Sequence, residues 1–196
     1  SGTSVSTAGD INGDGLDDLI VGDPKAGGSY YRYGPLGYGT SYVIFGRASG
    51  FEAALDLSSL DGKNGFSFEG ESPSNYLGNS VSNAGDINGD GFEDIIVGAP
   101  GAGPYARGIG YIIFGKSSGF DTVIDPSALD GSDGFSLVGE FAYSALGASV
   151  SAAGDVNGDG VDDVIVGASE VDLNGEDSGA SYVVFGKTAG FDAAID

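Results

Sequence analysis

A ten-residue segment occurs three times in this chain of 196 residues, and its copies are nearly identical. It reads GDINGDGLDD at residues 9–18, GDINGDGFED at residues 85–94 and GDVNGDGVDD at residues 154–163. Because acidic residues and glycines return at the same spacing each time, the chain is predicted to consist of copies of one supersecondary unit.

Each copy places side-chain oxygens at positions 1, 3, 5 and 9. A single acidic, glycine-rich turn also occurs without any ion, but three copies in one register favour Ca²⁺, which takes roughly six to eight oxygen ligands. Position 7 varies in side chain, as expected if only its backbone carbonyl binds. The predicted ligands of three Ca²⁺ ions are Asp10, Asn12, Asp14, Leu16 and Asp18; Asp86, Asn88, Asp90, Phe92 and Asp94; and Asp155, Asn157, Asp159, Val161 and Asp163.

The loops differ from an EF-hand, which needs a bidentate Glu at position 12. That position holds Val21, Val97 or Val166, within the short β-branched runs LIVG, IIVG and VIVG. Such runs predict strands rather than helices. We therefore expect each loop to open into a strand, with the ninth-position Asp closing the metal shell. The residues just before it are expected to face solvent: Asp17, Glu93 and Asp162.

Composition supports an all-β chain. Its 38 glycines show no collagen-like period, and together with many Val, Ile, Phe and Tyr residues they predict short strands and tight turns. There is no run of eighteen apolar residues, which predicts no membrane span. No basic and then apolar segment opens the chain, so we expect any export signal to have been removed or never included.

The formal charge of −22, with only seven Lys and Arg residues, makes nucleic acid an unsuitable partner because phosphate binding needs basic surface. Three Ca²⁺ would offset only part of this charge. The remaining negative charge is interpreted as belonging to a solvated surface. The alternative is that it attracts cations or basic partners. The chain contains neither Cys nor His, which excludes disulfides, thiol chemistry and metal sites built on those residues.

The repeat extends beyond the acidic loop. A short stretch precedes each loop, and a strand, a variable loop and a segment of the SYVIFG type follow it. A further segment, LDGKNGFSFEGE or LDGSDGFSLVGE, completes the first two units. The interval from Phe45 to Asp86 equals that from Phe114 to Asp155, so length varies only between the second and third strands. Four strands per unit at this period predict the radial sheets of a β-propeller.

The pattern resembles the FG-GAP repeat of integrin α-subunits and their bacterial relatives. Gly-Ala-Pro stands whole at residues 98–100 and is altered at residues 22–24 and 167–169. The Phe-Gly element is changed to Leu77-Gly78 and Leu146-Gly147. The resemblance implies blades of four antiparallel strands, with Ca²⁺ bound between the inner and second strands of each blade.

One FG-GAP array is expected over residues 1–196, with blades at 1–76, 77–145 and 146–196 and no outer strand in the third. Because propellers close with roughly four to eight blades, about three blades make an incomplete propeller. Three alternatives follow: the chain is a fragment of a longer propeller, copies associate, or the blades form an open, solenoid-like stack.

The first variable loop contains Tyr30, Tyr31, Tyr33 and Tyr38 beside Arg32. Exposed tyrosines provide large contact area at small entropic cost, so these residues are candidates for ligand binding. The alternative is that they fold onto their own blade or an adjacent face.

The third variable loop contains Glu170, Asp172, Asn174 and Glu176. These oxygens could form another cation site, but this arrangement has no copy elsewhere in the chain. A solvated acidic loop is the favoured interpretation.

These features predict a calcium-stabilised, non-catalytic extracellular module for adhesion or for binding a protein or glycan. Calcium loops of low affinity suit the extracellular space, where the ion is abundant. The alternative is that the chain forms structural blades of, or the catalytic domain of, a secreted polysaccharide-acting enzyme. No nucleophile motif built on His, Cys or Ser is visible, whereas a paired-carboxylate glycosidase stays open.

Overall fold

The computed structural model describes residues 2–27, 29–31, 34–173 and 178–196, and at 29–31 and 34–36 it describes the backbone. The described chain is built of short strands and three short 3₁₀ helices, Leu57–Ser59, Pro104–Ala106 and Pro126–Ala128, which confirms the all-β prediction. None of these helices has the length and apolar character needed to cross a membrane. In chain order the strands are β1 (Ser4–Gly9), β2 (Asp18–Asp23), β3 (Ser29–Tyr31), β4 (Gly34–Leu36), β5 (Thr40–Ile44), β6 (Gly65–Glu69), β7 (Ser80–Gly85), β8 (Asp94–Ala99), β9 (Ile109–Ile113), β10 (Val123–Ile124), β11 (Gly134–Val138), β12 (Leu146–Gly154), β13 (Asp163–Ala168), β14 (Ala180–Val184) and β15 (Ala194–Ile195).

The first sheet runs through four antiparallel strands in the order β1-β2-β5-β6. Its β-branched residues suit a pleated surface: Ile20 in β2 lies opposite Val43 in β5, and both are fully buried. A fifth strand, β10, comes from the next repeat and pairs parallel to β6, with Val123 opposite Ser67. The prediction of four antiparallel strands is confirmed. The fifth strand was not predicted, because a strand of two residues is too short to show a hydrophobic period.

The second sheet repeats this arrangement as β7-β8-β9-β11, with β15 parallel to β11. The third sheet contains β12, β13 and β14, and a small hairpin of β3 and β4 lies in the loop between β2 and β5. The sheets do not close into a barrel within the described ranges, consistent with blades of an incomplete propeller. The blade boundaries at 76/77 and 145/146 stay a prediction.

Aromatic side chains fill the spaces between neighbouring sheets. Phe120 belongs to the second repeat but stacks on Phe66 of the first sheet, with ring centroids 4.8 Å apart and planes at 12°. Phe191 of the third repeat stacks on Phe135 of the second sheet at 4.5 Å and 11°. Phe120 and Phe191 therefore each pack on the blade before their own, and each pair of adjacent blades shares an apolar core.

The outward face of the third sheet exposes residues whose counterparts are covered. Val183 and Phe185 are 45% and 55% exposed, whereas Ile112 and Phe114, at the same places in the second repeat, are 0% and 5% exposed. In the second blade, the corresponding face is covered by the blade that follows. Association of copies, or continuation into a longer propeller, stays a prediction.

The antiparallel order places two groups of loops at opposite ends of the sheets. The acidic-loop end holds the connections between first and second strands: residues 10–17, 86–93 and 155–162. The opposite end holds the loops between second and third strands and the linkers between blades, which include residues 100–108 and 139–145.

Candidate metal centres

The first acidic loop folds three oxygen-bearing side chains over one turn. The Asp14 N–H donates to Oδ1 of Asp10 and to Oδ1 of Asn12, both at 2.9 Å. The Gly15 N–H donates to the other oxygen of Asp10 at 2.8 Å, and the Leu16 N–H donates to Oδ1 of Asp14 at 2.9 Å. Gly15 has φ 87°, a left-handed conformation that favours glycine. The turn therefore gathers the oxygens at positions 1, 3 and 5.

The other two loops reproduce this geometry. In each, the position-5 N–H is shared between the carboxylate at position 1 and the amide oxygen at position 3, at distances from 2.8 to 3.1 Å. The side chains that occupy these three positions are Asp86, Asn88 and Asp90 in the second loop and Asp155, Asn157 and Asp159 in the third. One sequence pattern thus folds in the same way three times.

The ninth-position aspartates Asp18, Asp94 and Asp163 are fully buried beneath their loops. The Asp94 carboxylate accepts from the Ile87 N–H at 2.9 Å and from the Gly115 N–H, just after β9, at 2.8 Å. The other two make the equivalent pairs of bonds. Each therefore ties its acidic loop to the turn that follows the third strand. Its further role as a metal ligand stays a prediction.

Burial raises the pKa of two of these carboxyl groups, that of Asp18 to about 6 and that of Asp94 to about 8. The backbone N–H donors favour the charged form of Asp94 but do not offset burial, and the nearby carboxylates of Asp90 and Asp86 raise the pKa further. A positive charge in the loop would lower these pKa values, because an opposite charge favours the ionised form.

The donor chemistry of the loops fits a hard cation. Every predicted donor is a carboxylate, amide or backbone carbonyl oxygen, the ligand types that Ca²⁺ takes. No three acidic side chains in the described part of the chain form a metal cage by themselves. A complete site would therefore need the Asn amide and the carbonyls of Leu16, Phe92 and Val161 as well. The assignment of all fifteen ligands stays a prediction.

The position-eight residues differ from one another. Asp17 is exposed, as expected, but Glu93 and Asp162 are only half-exposed. Oε2 of Glu93 accepts from Nδ2 of Asn83 at 2.7 Å, and Oδ2 of Asp162 accepts from the Asp86 N–H at 3.0 Å. The expectation that these two side chains face solvent is wrong, because each contacts a neighbouring residue at the acidic-loop end.

Of the predicted tyrosine-rich site, the structure describes the side chain of Tyr38. Tyr38 is 38% exposed. Arg32 and Tyr33 lie outside the described residues, as do the side chains of Tyr30 and Tyr31. In the third variable loop, Glu170 and Asp172 are exposed, whereas Asn174 and Glu176 lie outside the described residues.

Two exposed tyrosines at the opposite end of the sheets were not predicted from the sequence. Tyr105 and Tyr143 are 70% and 63% exposed and have left-handed φ values of 58° and 60°. The Tyr143 N–H donates to the Tyr105 carbonyl at 2.8 Å, which joins the two loops. Strained non-glycine residues cluster at binding sites. The available signal was the Pro104-Tyr105 dipeptide in the second variable loop.

Comparison with known proteins confirms the resemblance drawn from the sequence. The family model described as FG-GAP repeat matches residues 1–44, 77–113 and 146–184. The chain is 34% identical over 180 residues to integrin alpha-V of Gallus gallus, which covers 87% of this chain and 15% of that protein. It is 31% identical over 169 residues to integrin alpha pat-2 of Caenorhabditis elegans, with 85% of this chain and 13% of that protein covered.

A relative of another kind matches equally well. The chain is 32% identical over 176 residues to phosphatidylinositol-glycan-specific phospholipase D of Homo sapiens, which covers 88% of this chain and 19% of that protein. The chain thus spans less than a fifth of the length of these curated relatives. These relatives are animal proteins, so the bacterial part of the resemblance stays a prediction.

Proposed function

Because the chain belongs to the FG-GAP repeat family, we propose that it is a calcium-stabilised β-propeller module that binds a protein or glycan ligand outside the cell without catalysis. The recurrence of one oxygen-rich turn in all three acidic loops is the observation that carries the calcium part of this proposal. Bound Ca²⁺ would hold the loop turns and offset the buried carboxylates. In this proposal Ca²⁺ takes no part in a chemical reaction.

The ligand would dock at the opposite end of the sheets. Support comes from the exposed rings of Tyr105 and Tyr143, because tyrosine is enriched among the residues that dominate binding energy. Tyr38 lies in a loop at the same end. A protein is the favoured ligand because integrin alpha subunits are among the relatives; a glycan is the alternative.

An extracellular or cell-surface location has two supports. Integrin alpha relatives are proteins of the cell surface, and short calcium loops with roughly 10⁻⁴–10⁻³ M affinity suit extracellular calcium. The proposed roles in adhesion and ligand binding follow from the same relatives.

A second candidate is that the chain forms blades of a secreted enzyme. The match to a phospholipase D favours this reading, whereas the absence of His and Cys from the sequence disfavours catalysis by the chain itself. Hydrolysis of a polysaccharide or glycolipid that persists in EDTA would favour the enzyme.

The calcium proposal is tested with Asp90→Ala. At Ca²⁺ one hundred times the dissociation constant, one lost site removes about 2.7 kcal/mol of stability. We expect the variant to melt at a lower temperature than the parent chain in calcium and at nearly the same temperature in EDTA. The control is Asp121→Ala, which removes an exposed acid outside the loops. Equal losses for Asp90→Ala in both buffers would refute the assignment.

A further inference from the structure

Asp162 joins the second and third acidic loops. The Asp86 N–H donates to Oδ2 of Asp162 at 3.0 Å, and the Asp162 N–H donates to the Asp86 carbonyl at 3.3 Å. Asp86 is the first predicted ligand of the second loop, and Asp162 adjoins Asp163, the ninth-position residue of the third. The two loops therefore share a reciprocal pair of hydrogen bonds.

The backbone next to Asp86 is shaped for this contact. Gly85 has φ 71°, and a Cβ there would collide with the Asp162 carboxylate. At the equivalent position of the third repeat, Gly154 has nothing within 4 Å of such a Cβ. The close approach is thus specific to a junction between two loops.

The first and second loops also contact each other, with Glu93 in the place of Asp162. The Phe92 ring lies against Gly13, where a Cβ would collide with it, and Cγ of Glu93 would lie 2.6 Å from a Cβ at Gly9. The Lys116 N–H of the second repeat also donates to the Ile11 carbonyl at 3.0 Å. At the next junction Lys187 donates to Ile87 in the same way, at 3.0 Å.

We propose that Asp162 is a positioning residue for the second calcium site and that it couples this site to the third. This inference rests on the proposed calcium binding. Ca²⁺ in the third loop would order residues 161–163, which include the acceptor that holds the Asp86 backbone. The second loop then loses less conformational entropy when it binds its own ion, so the two sites bind with positive cooperativity.

The test uses the whole chain with only the second site active, through Asp14→Ala and Asp159→Ala in the other two loops. Asp162→Ala and Asp162→Asn each remove one charge, but only the alanine removes the acceptor oxygen. By calorimetric titration with CaCl₂, we expect the alanine variant to bind about fivefold more weakly than the asparagine variant, the effect of one hydrogen bond. Asp17→Ala is the matched control: it makes the same charge change at position eight of the first loop and should match the Asp162→Asn affinity or exceed it.

Equal affinities for Asp162→Ala and Asp162→Asn would overturn the positioning role. If the parent chain with only the second site active binds no calcium, the proposed function fails instead, which separates the two outcomes.

A second measurement decides the coupling even if Asp162→Ala does not fold. In a chain with the second site disabled by Asp90→Ala, the Asp86 amide resonance should move when CaCl₂ fills the third site. It should stay still when Asp159→Ala is added. An Asp86 resonance that does not shift when the third site fills would overturn the coupling.

Discussion

Three phenylalanines at the same place in the three repeats, Phe51, Phe120 and Phe191, allow a direct measurement of the contact between blades. Phe120 and Phe191 are 8% and 9% exposed, whereas Phe51 is 46% exposed. Each ring also carries a cation: Lys116 over Phe120 at 5.2 Å, Lys187 over Phe191 at 4.8 Å and Arg47 over Phe51 at 5.6 Å. Because a cation lies over all three rings, the stability lost on replacement by alanine should differ among them chiefly through the contact with the preceding blade.

We expect Phe120→Ala to lower the free energy of unfolding by about 3–4 kcal/mol, the usual loss for a buried Phe that leaves a cavity. The stack on Phe66 at 4.8 Å and the contact with Phe45 at 5.5 Å account for this cost. Phe191→Ala should lose a similar amount because its rings are arranged in the same way. Phe51→Ala should lose about 1 kcal/mol or less, since little of its surface is removed from water.

Guanidinium unfolding in saturating calcium gives these energies, with tyrosine fluorescence as the signal because the chain has no Trp. Unchanged denaturant slopes would show that stability, rather than the extent of unfolding, differs among the variants. If Phe51→Ala lost as much as Phe120→Ala, packing between blades would not explain the stability of the array.

Two further predictions concern the carboxylates and the exposed tyrosines. Burial raises the pKa of Asp94 from its ordinary 3.8 to about 8. Without metal the folded chain therefore binds more protons than the unfolded chain between these values, and its stability falls as pH rises through them. In EDTA, Asp94→Asn should reduce that fall in unfolding free energy between pH 5 and pH 8, and an unchanged slope would contradict the burial argument. Tyr105→Ala and Tyr143→Ala should weaken binding to immobilised matrix proteins or to a glycan array by about tenfold or more, with melting in calcium unchanged; binding equal to that of the Asp121→Ala control would remove these residues from the ligand site.

The repeated features of this chain could be predicted because the same residue pattern recurs in each copy. The apolar runs LIVG, IIVG and VIVG after the acidic loops form β2, β8 and β13, and the intervals of constant length correspond to the framework of the first two blades. The oxygens at positions 1, 3 and 5 come together as their spacing indicated, since short Asp and Asn side chains bond to backbone N–H groups two to five residues away.

Contacts between repeats could not be predicted from the sequence. Glu93 and Asp162 follow the same pattern as Asp17, yet Glu93 lies against Gly9 of the first repeat and Asp162 accepts from Asp86 of the second, while Asp17 is exposed. Their environment depends on which blade lies beside them, and local pattern does not record that. The exposed rings of Tyr105 and Tyr143 depend in the same way on how two loops from different repeats meet.

The parallel strand β10 makes the unit of sequence differ from the unit of structure. The Ser67 N–H of the first blade donates to the Thr122 carbonyl of the second repeat at 2.9 Å, and Ser136 donates to Ala193 in the same way at 3.0 Å. Removing one whole repeat would therefore strip an edge from the blade before it. Duplication or exchange of repeats can preserve this overlap only if whole repeat lengths of sequence are added or removed. This requirement restricts how such an array can lengthen during evolution.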